Sequence, residues 1–184
     1  ESLAEKLAKG GLATVAPDLR GHGSSDKAGQ ELTDLDYLAM VLDAKSAVTY
    51  LRGRGVTELS CVGASIGANL CLTLAADEPT VGNVVMLSPS LNTKGIQTPG
   101  PLKSYGNRPL LIVAAEDARF SNPVLRMSGA GVELLVEPWE LGPRKAKEFL
   151  LCAETLTADQ AEHLGLVNRV VPLDDLAEAA EAGV

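Results

Sequence analysis

The sequence predicts an α/β fold: a doubly wound, mostly parallel sheet of about five strands, followed by a helical C-terminal tail. Up to about residue 138, short apolar runs rich in β-branched residues alternate with segments of helical periodicity. Continuous apolar runs such as Leu110–Val113 are typical of strands that are covered on both faces. At Gly142 and Pro143 the alternation gives way to mostly helical patterns. We therefore predict two segments, residues 1–138 and residues 139–184.

Five segments are predicted as strands because each combines β-branched and other apolar side chains over four or five residues. They are Leu12–Ala16, Leu59–Val62, Asn83–Leu87, Leu110–Ala114 and Val132–Val136. Strands joined by helical crossovers of the right-handed kind place helices on both faces of the sheet.

Helices are predicted between these strands and throughout the tail. The earlier ones are Ser2–Lys9, about Leu35–Leu51, Ile66–Ala75 and a weaker one after Ser121. Asp34 is a candidate N-cap of the long helix and Gly53 its stop. The tail is predicted to hold helices at Arg144–Cys152, Thr157–Leu164 and Leu173–Ala180, with Asn168–Val171 as a short extended piece. Thr157 and Gln160 have the spacing of a capping box.

Composition excludes several classes of protein. The 184 residues carry a net charge of −8, whereas nucleic-acid binding requires clustered Lys and Arg. No apolar run approaches the roughly 18 residues of a membrane span. Cys61, Cys71 and Cys152 form no metal-binding pattern and no disulfide framework, so we expect no metal, no cofactor and a reducing, cytoplasmic compartment. Because the chain begins at Glu1 without a signal peptide, we interpret it as an internal fragment.

The stretch Cys61–Ala68 contains Gly-x-Ser-x-Gly at Gly63, Ser65 and Gly67, after a predicted strand and before a predicted helix. Such a turn, a nucleophile elbow, places the serine on a strained backbone, and the flanking glycines leave room for the neighbouring chain. The hydroxyl then projects above the carboxyl edge of the sheet, and the Ile66 amide points at a developing oxyanion. The alternative is a structural turn whose serine merely caps a helix.

Residues 1–138 resemble the α/β-hydrolase family, esterase- and lysophospholipase-like members especially. Ala16–Ser25 is similar to the loop after the family's fourth strand, and Ser65 matches the nucleophile. Arg108–Asp117 is similar to the penultimate strand and the turn that bears the acid. The resemblance implies that Asp117 orients and stabilises a His imidazolium, with Glu116 as its substitute if the register differs by one. A solvated strand-end carboxylate is the alternative for either residue.

The resemblance also implies a catalytic His shortly after the last strand, which Val132–Val136 matches. No His is present over Glu137–Pro143, and a serine without a base is a poor nucleophile. The family uses the position of His22 structurally. His163 is the remaining candidate for the base, and its alternative is an ordinary residue on a helix surface.

The family's first three strands, and a loop that supplies one oxyanion amide, have no counterpart in this sequence. In the family the third strand lies between the fourth and fifth, which correspond here to Leu12–Ala16 and Leu59–Val62. Unpaired backbone groups cost free energy when buried and promote association when exposed. We therefore expect those two strands to pair directly or something else to fill the gap.

The tail, over residues 142–176, resembles the C-terminal helical region of the crotonase (enoyl-CoA hydratase/isomerase) family. The similarity lies in Gly142–Leu151 and Leu156–Pro172. In that family the region helps to pack the trimer and borders the acyl-CoA site, whereas the catalytic residues come from a core that this sequence lacks. The resemblance therefore implies an assembly element. A natural fusion, an assembly artefact and an engineered chimera remain open interpretations.

We thus predict a serine hydrolase that acts on a small-molecule carboxylic ester or related acyl compound, impaired or inactive because its His is missing. One alternative is a non-catalytic module that self-associates through exposed strand edges or the C-terminal helices. Another is a fragment of a fusion related to enoyl-CoA hydratases and isomerases.

Overall fold

The computed structural model describes residues 2–121, 141–152 and 154–182. The chain divides into two compact units, the first comprising Glu1–Leu111 with Ala177–Val184 and the second Ile112–Leu176. The predicted boundary between residues 138 and 139 lies outside the described residues and stays a prediction. No helix in the described ranges is both long and apolar enough to cross a membrane.

The first unit is built around two parallel strands and the helices that join and cover them. Its elements are α1 (Leu3–Lys9), α2 (Asp34–Arg52), β1 (Leu59–Ala64), α3 (Ile66–Asp77), β2 (Val81–Leu87), β3 (Asn92–Thr93), β4 (Ile96–Gln97) and α4 (Pro99–Tyr105). Strands β1 and β2 pair in parallel from Ser60 opposite Asn83 to Ala64 opposite Leu87. Strands β3 and β4 form a short antiparallel hairpin.

The strand β5 (Leu110–Ala115) begins in the first unit and continues into the second. The remaining elements are β6 (Arg119–Phe120), α5 (Gly142–Leu151), β7 (Leu156–Thr157), α6 (Ala158–His163), β8 (Arg169–Val171), a 3-10 turn (Leu173–Asp175) and α7 (Leu176–Glu181). The main sheet has the strand order β1-β2-β5-β8, and β8 pairs with β5 in parallel. The predicted α/β class with a mostly parallel sheet is confirmed, and the tail adds strand β8 to it.

Among the described helices, three begin with a capping box, in which two side chains and two backbone amides satisfy one another. Thr157 and Gln160 form the one that the sequence predicts, at the start of α6. Helix α2 is capped by Thr33 with Asp36, so the predicted N-cap Asp34 is instead the first helical residue. Thr33 is the N-cap because its hydroxyl oxygen accepts a hydrogen bond from the Asp36 amide, and the Asp36 carboxylate accepts one from the Thr33 amide.

Arg108 ties the end of α3 to the sheet. Its guanidinium donates to the carbonyl oxygens of Ala75 at 2.6 Å and Val81 at 2.7 Å. The same group lies 4.2 Å from the centre of the Tyr105 ring. A helix leaves its last carbonyls without partners and carries partial negative charge at that end, so the half-buried Arg108 cation is well placed there.

The predicted strand Leu12–Ala16 is wrong: this segment carries no regular secondary structure. It neither pairs with β1 nor is replaced by another described strand. A cavity of about 220 Å³ is lined by Val15, Pro17 and Leu19, by Leu59 to Val62 of β1, and by residues of α2 and α3. A strand forms only where a partner accepts its hydrogen bonds, and no strand of the described part of the chain lies beside this segment. The predicted strand Val132–Val136 and the weak helix after Ser121 fall outside the described residues.

The second unit has its own apolar core. Phe149 and Leu150 of α5 pack with Leu156, which is fully buried. A second cluster joins Ala114 of β5 to Ala161 of α6 and to Val167. Helix α5 thus buries the face that its apolar spacing predicts.

Candidate functional site

Ser65 occupies the single residue between β1 and α3. Its backbone has φ +51° and ψ −117°, a conformation that serine rarely adopts. The side chain is exposed, and its hydroxyl forms no hydrogen bond that caps the helix. The predicted strand–turn–helix geometry is present, and the helix-capping alternative for Ser65 does not describe this turn.

The two glycines around Ser65 have different environments. A Cβ on Gly63 would lie 2.2 Å from the Gly67 carbonyl oxygen, so a side chain cannot be accommodated there without moving backbone. A Cβ on Gly67 would meet nothing within 4 Å. The close approach of strand and helix therefore requires glycine at position 63 only.

Backbone hydrogen bonds hold the turn to the neighbouring strand. The Ser65 amide donates to the Leu87 carbonyl oxygen at the end of β2 at 2.9 Å, and the Ser65 carbonyl oxygen accepts from the Ala68 amide at 3.0 Å. Ile66 is the first residue of α3, where helix geometry supplies no intrahelical acceptor for its N–H. Its amide is therefore suited to bind a partial negative charge at the helix N-terminus.

A disulfide joins Cys61 of β1 to Cys71 of α3, with 5.5 Å between their Cα atoms. The expectation that these cysteines form no disulfide is wrong. They are ten residues apart in the chain, and the sharp turn at Ser65 folds helix back against strand so that the two side chains meet. Cys152 is exposed and not in a disulfide.

Asn69 is a buried polar residue that the sequence reasoning missed. It is fully buried on α3, where its amide group donates to the Ile96 carbonyl oxygen at 2.8 Å and accepts from the Ser90 amide at 3.3 Å. These bonds fix the segment that follows β2, whose first residue, Ser88, has φ +48°. An Asn within an otherwise apolar helix was the available signal.

The loop over Ala16–Ser25 is held by its own side chains. Asp18 accepts from the Ser24 amide at 2.9 Å, and this hydrogen bond lowers the pKa of the Asp18 carboxyl. Arg20 forms a bidentate pair with Asp43 of α2, at 2.9 and 2.7 Å, which lowers the pKa of Asp43. His22 Nδ1 lies 3.1 Å from the Arg20 carbonyl oxygen, within its own loop.

The other predicted catalytic residues belong to the second unit. Asp117 is exposed in the turn after β5, and its carbonyl oxygen accepts from Arg119. The Glu116 amide donates to the Val171 carbonyl oxygen, and its side chain is exposed. His163 is exposed in the last turn of α6. Among the described residues of this unit, no hydrogen bond joins Asp117 to His163.

In the described ranges no group of three or more His, Cys, Asp or Glu is arranged to hold a metal ion.

A parallel α/β core with a strained serine between strand and helix is the framework of the α/β-hydrolases. The family model described as serine aminopeptidase, S33 matches residues 1–125, and the chain belongs to this family. The model described as enoyl-CoA hydratase/isomerase matches residues 111–182. Both resemblances that the sequence motifs suggested are therefore confirmed.

The curated relatives align with only part of the chain. EchA13 of Mycobacterium tuberculosis, named as an enoyl-CoA hydratase, is 50% identical over 68 residues, which cover 36% of this chain and 21% of that protein. EchA8 of Mycobacterium bovis, also named as an enoyl-CoA hydratase, is 36% identical over 76 residues, 39% of this chain and 29% of that protein. The chain thus spans less than a third of the length of these two relatives.

Similar solved structures are also named as enoyl-CoA hydratases. A crystal structure of a Mycobacterium thermoresistibile protein named as an enoyl-CoA hydratase is 30% identical, with a TM-score of 0.47, and the alignment covers 62% of this chain and 64% of that chain. One from Mycobacterium smegmatis is 29% identical, with a TM-score of 0.48 and the same coverage.

Proposed function

We propose that the chain carries a serine-hydrolase site that acts on a carboxylic ester or related acyl compound, with Ser65 as the nucleophile. The observation that carries the proposal is the exposed Ser65 at φ +51° between β1 and α3. Serine tolerates this conformation only where the surrounding structure enforces it, and such strain is concentrated at functional sites. The Ile66 amide is the proposed oxyanion donor, since it lies at the start of the same helix.

The proposed activity is weak, because the base that should accept the Ser65 proton is missing. Over Glu137–Pro143, where the resemblance places the base, the sequence has no His. His22 is bonded to the Arg20 carbonyl oxygen in its own loop, which supports a structural role. Acyl transfer then relies on the oxyanion amide and on water as the proton acceptor.

A fully active version of this proposal adds Asp117 as the acid of the triad and His163 as its base. The two versions make opposite predictions for His163→Ala. If His163 is the base, the substitution abolishes reaction at Ser65; if the base is missing, the rate does not change. We favour the second version, since His163 is an exposed residue at the end of α6 and the described residues give it no hydrogen bond to Asp117.

A fluorophosphonate probe tests the role of Ser65. Attack by Oγ forms a bond to phosphorus, and fluoride leaves. We expect peptide mapping by mass spectrometry to find the adduct on Ser65, and Ser65→Ala to remove it. Ser88→Ala is the matched control, because Ser88 is also exposed, also has positive φ and also follows a strand of the sheet. Equal labelling of native protein and Ser65→Ala would rule out an activated Ser65.

A second candidate function is that of an acyl-CoA-binding piece of a fusion related to enoyl-CoA hydratases. The similarity of residues 111–182 to that family supports it. Calorimetric titration with a short acyl-CoA measures such binding directly. The candidate predicts binding that disappears when residues 142–184 are deleted, and binding that survives the deletion would refute it.

Self-association is the third candidate, and the edge position of β1 supports it. In the sheet of the described residues β1 has one neighbour, β2, so its other edge offers unpaired backbone groups. Size-exclusion chromatography with light scattering should then find a dimer or larger species at micromolar concentration. A strictly monomeric protein would exclude this role.

A further inference from the structure

We propose that the Cys61–Cys71 disulfide is a redox-sensitive clamp on the Ser65 turn, which a small dithiol reductant opens. The cross-link joins the strand that enters the turn to the helix that leaves it, and Ser65 lies inside the ten-residue loop that it closes. The clamp itself depends only on this geometry. Its effect on catalysis rests on the function proposed for Ser65.

The turn needs support that the sheet supplies on one side only. The backbone amide of Ser65 donates a hydrogen bond to the Leu87 carbonyl oxygen of β2, at 2.9 Å, and this holds the residue in place. On its other edge β1 has no strand beside it among the described residues, and β1, α2 and α3 line the cavity of about 220 Å³. The disulfide adds a covalent restraint between β1 and α3 next to the turn. A strained backbone persists only while such restraints hold.

The cavity also gives the cross-link an access route and room to open. Cys61 and Cys71 both line it, although Cys71 is only 6% exposed. We therefore use a small dithiol as the reductant, because it can enter a space of this size. Once reduced, the two thiols separate into the cavity without displacing packed side chains.

The reduction is a two-step thiol–disulfide exchange. A thiolate of the reductant attacks one cysteine sulfur and the other cysteine leaves as a thiolate, which takes a proton from water. The second thiol of the reductant then attacks the mixed disulfide and releases the first cysteine. The protein gains two electrons and two protons, and the dithiol becomes a cyclic disulfide.

The test compares the oxidised full-length chain with the same chain reduced by dithiothreitol. Thiol titration in denaturant should count one thiol before reduction, from Cys152, and three after it. Hydrogen exchange should become at least tenfold faster at the amides of residues 62–68 and remain unchanged in the second half of α2. The rate of fluorophosphonate labelling at Ser65 should fall at least threefold.

Variants separate the cross-link from other effects of reductant. The double variant Cys61→Ser/Cys71→Ser should resemble the reduced protein in both exchange and labelling, while Cys152→Ser should resemble the oxidised one and still respond to dithiothreitol. Three titratable thiols in the oxidised protein, or unchanged exchange on reduction, would overturn the clamp. Labelling at equal rates in both redox states would also overturn it. Absence of labelling in both states counts against the role of Ser65, and the exchange result then decides on the clamp alone.

Discussion

Ser65 keeps a backbone conformation that costs about 1–3 kcal/mol relative to an ordinary one. Glycine would remove this cost, so serine at this position lowers the stability of the fold. Three local features enforce the conformation: the hydrogen bond from the Ser65 amide to the Leu87 carbonyl oxygen, the absence of a side chain at Gly63 and the disulfide between Cys61 and Cys71. The strain and the exposed hydroxyl occur at the same residue, which is why we place the chemistry there.

Single residues were predictable from the sequence where the pattern was local. Gly-x-Ser-x-Gly predicts the turn at Ser65, because strand, turn and helix follow within a few residues. The disulfide was not predictable, since it depends on how α3 folds back on β1 and the spacing of ten residues matches no familiar pattern. Asn69 was missed for the same reason, because its partners Ile96 and Ser90 lie more than twenty positions away.

The Arg20–Asp43 pair makes the stability of the first unit depend on pH. Arg20 lowers the pKa of Asp43 in the folded chain, so the pair stabilises the fold fully above the ordinary Asp pKa and loses its effect as the pH falls through the lowered value. Asp43→Asn should lower the free energy of unfolding at pH 7 by about 1–3 kcal/mol. Urea unfolding of the native protein and the variant at pH 7 and pH 2.5 measures this loss and its dependence on pH.

The loss should be smaller at pH 2.5, because below the ordinary Asp pKa the unfolded chain takes up a proton at Asp43 and the stabilisation by the pair declines. Asp26→Asn is the control, because it makes the same change of charge at an exposed position in the same region. An equal loss at the two pH values would show that the carboxylate charge of Asp43 is not what stabilises the fold.

At the scale of elements, the connection between β1 and α3 determines the geometry of the site. Gly63→Ala should cost about 2 kcal/mol or more, since its Cβ would lie 2.2 Å from the Gly67 carbonyl oxygen. Gly67→Ala should be neutral or stabilise the protein by up to about 1 kcal/mol, because alanine favours helix and its Cβ meets nothing within 4 Å.

Thermal or urea denaturation of the two glycine variants measures this difference. The pair is well matched, since both changes add one methyl group and the sites are four residues apart. If Gly67→Ala were the more destabilising of the two, the close approach of strand and helix at Gly63 would not be the constraint that we describe.

Elements with local signals were predicted more accurately than elements that depend on distant partners. The capping box at Thr157 and Gln160 depends on four consecutive residues only, and the structure confirms it. Leu12–Ala16 has the apolar pattern of a strand, but a strand also needs a neighbour, and none of the described strands lies beside it. The sequence predicts an extended piece at Asn168–Val171, but the pairing of Arg169–Val171 with β5 cannot be read from that segment alone.

For the whole molecule, two family similarities meet within one chain and overlap over residues 111–125. Both similarities were recognisable from sequence because each rests on a few short motifs, and each motif is contiguous in the chain. The division into compact units at Leu111 and Ile112 lies close to the start of the second match. Strand β5 crosses that division, so the division falls inside one continuous apolar run and composition gives no sign of it.

The central claim is that Ser65 is a nucleophile on a hydrolase framework that lacks its histidine base. Small imidazole added to the solution can take over the missing proton transfer, because neutral imidazole is the base that histidine supplies. The most direct measurement is the rate at which a fluorophosphonate labels Ser65, followed by peptide mapping, at increasing imidazole concentration and constant pH. We expect slow labelling whose rate rises in proportion to neutral imidazole and does not change in His163→Ala. Rapid labelling that ignores imidazole and is lost in His163→Ala, or no labelling of Ser65 at any imidazole concentration, would contradict it.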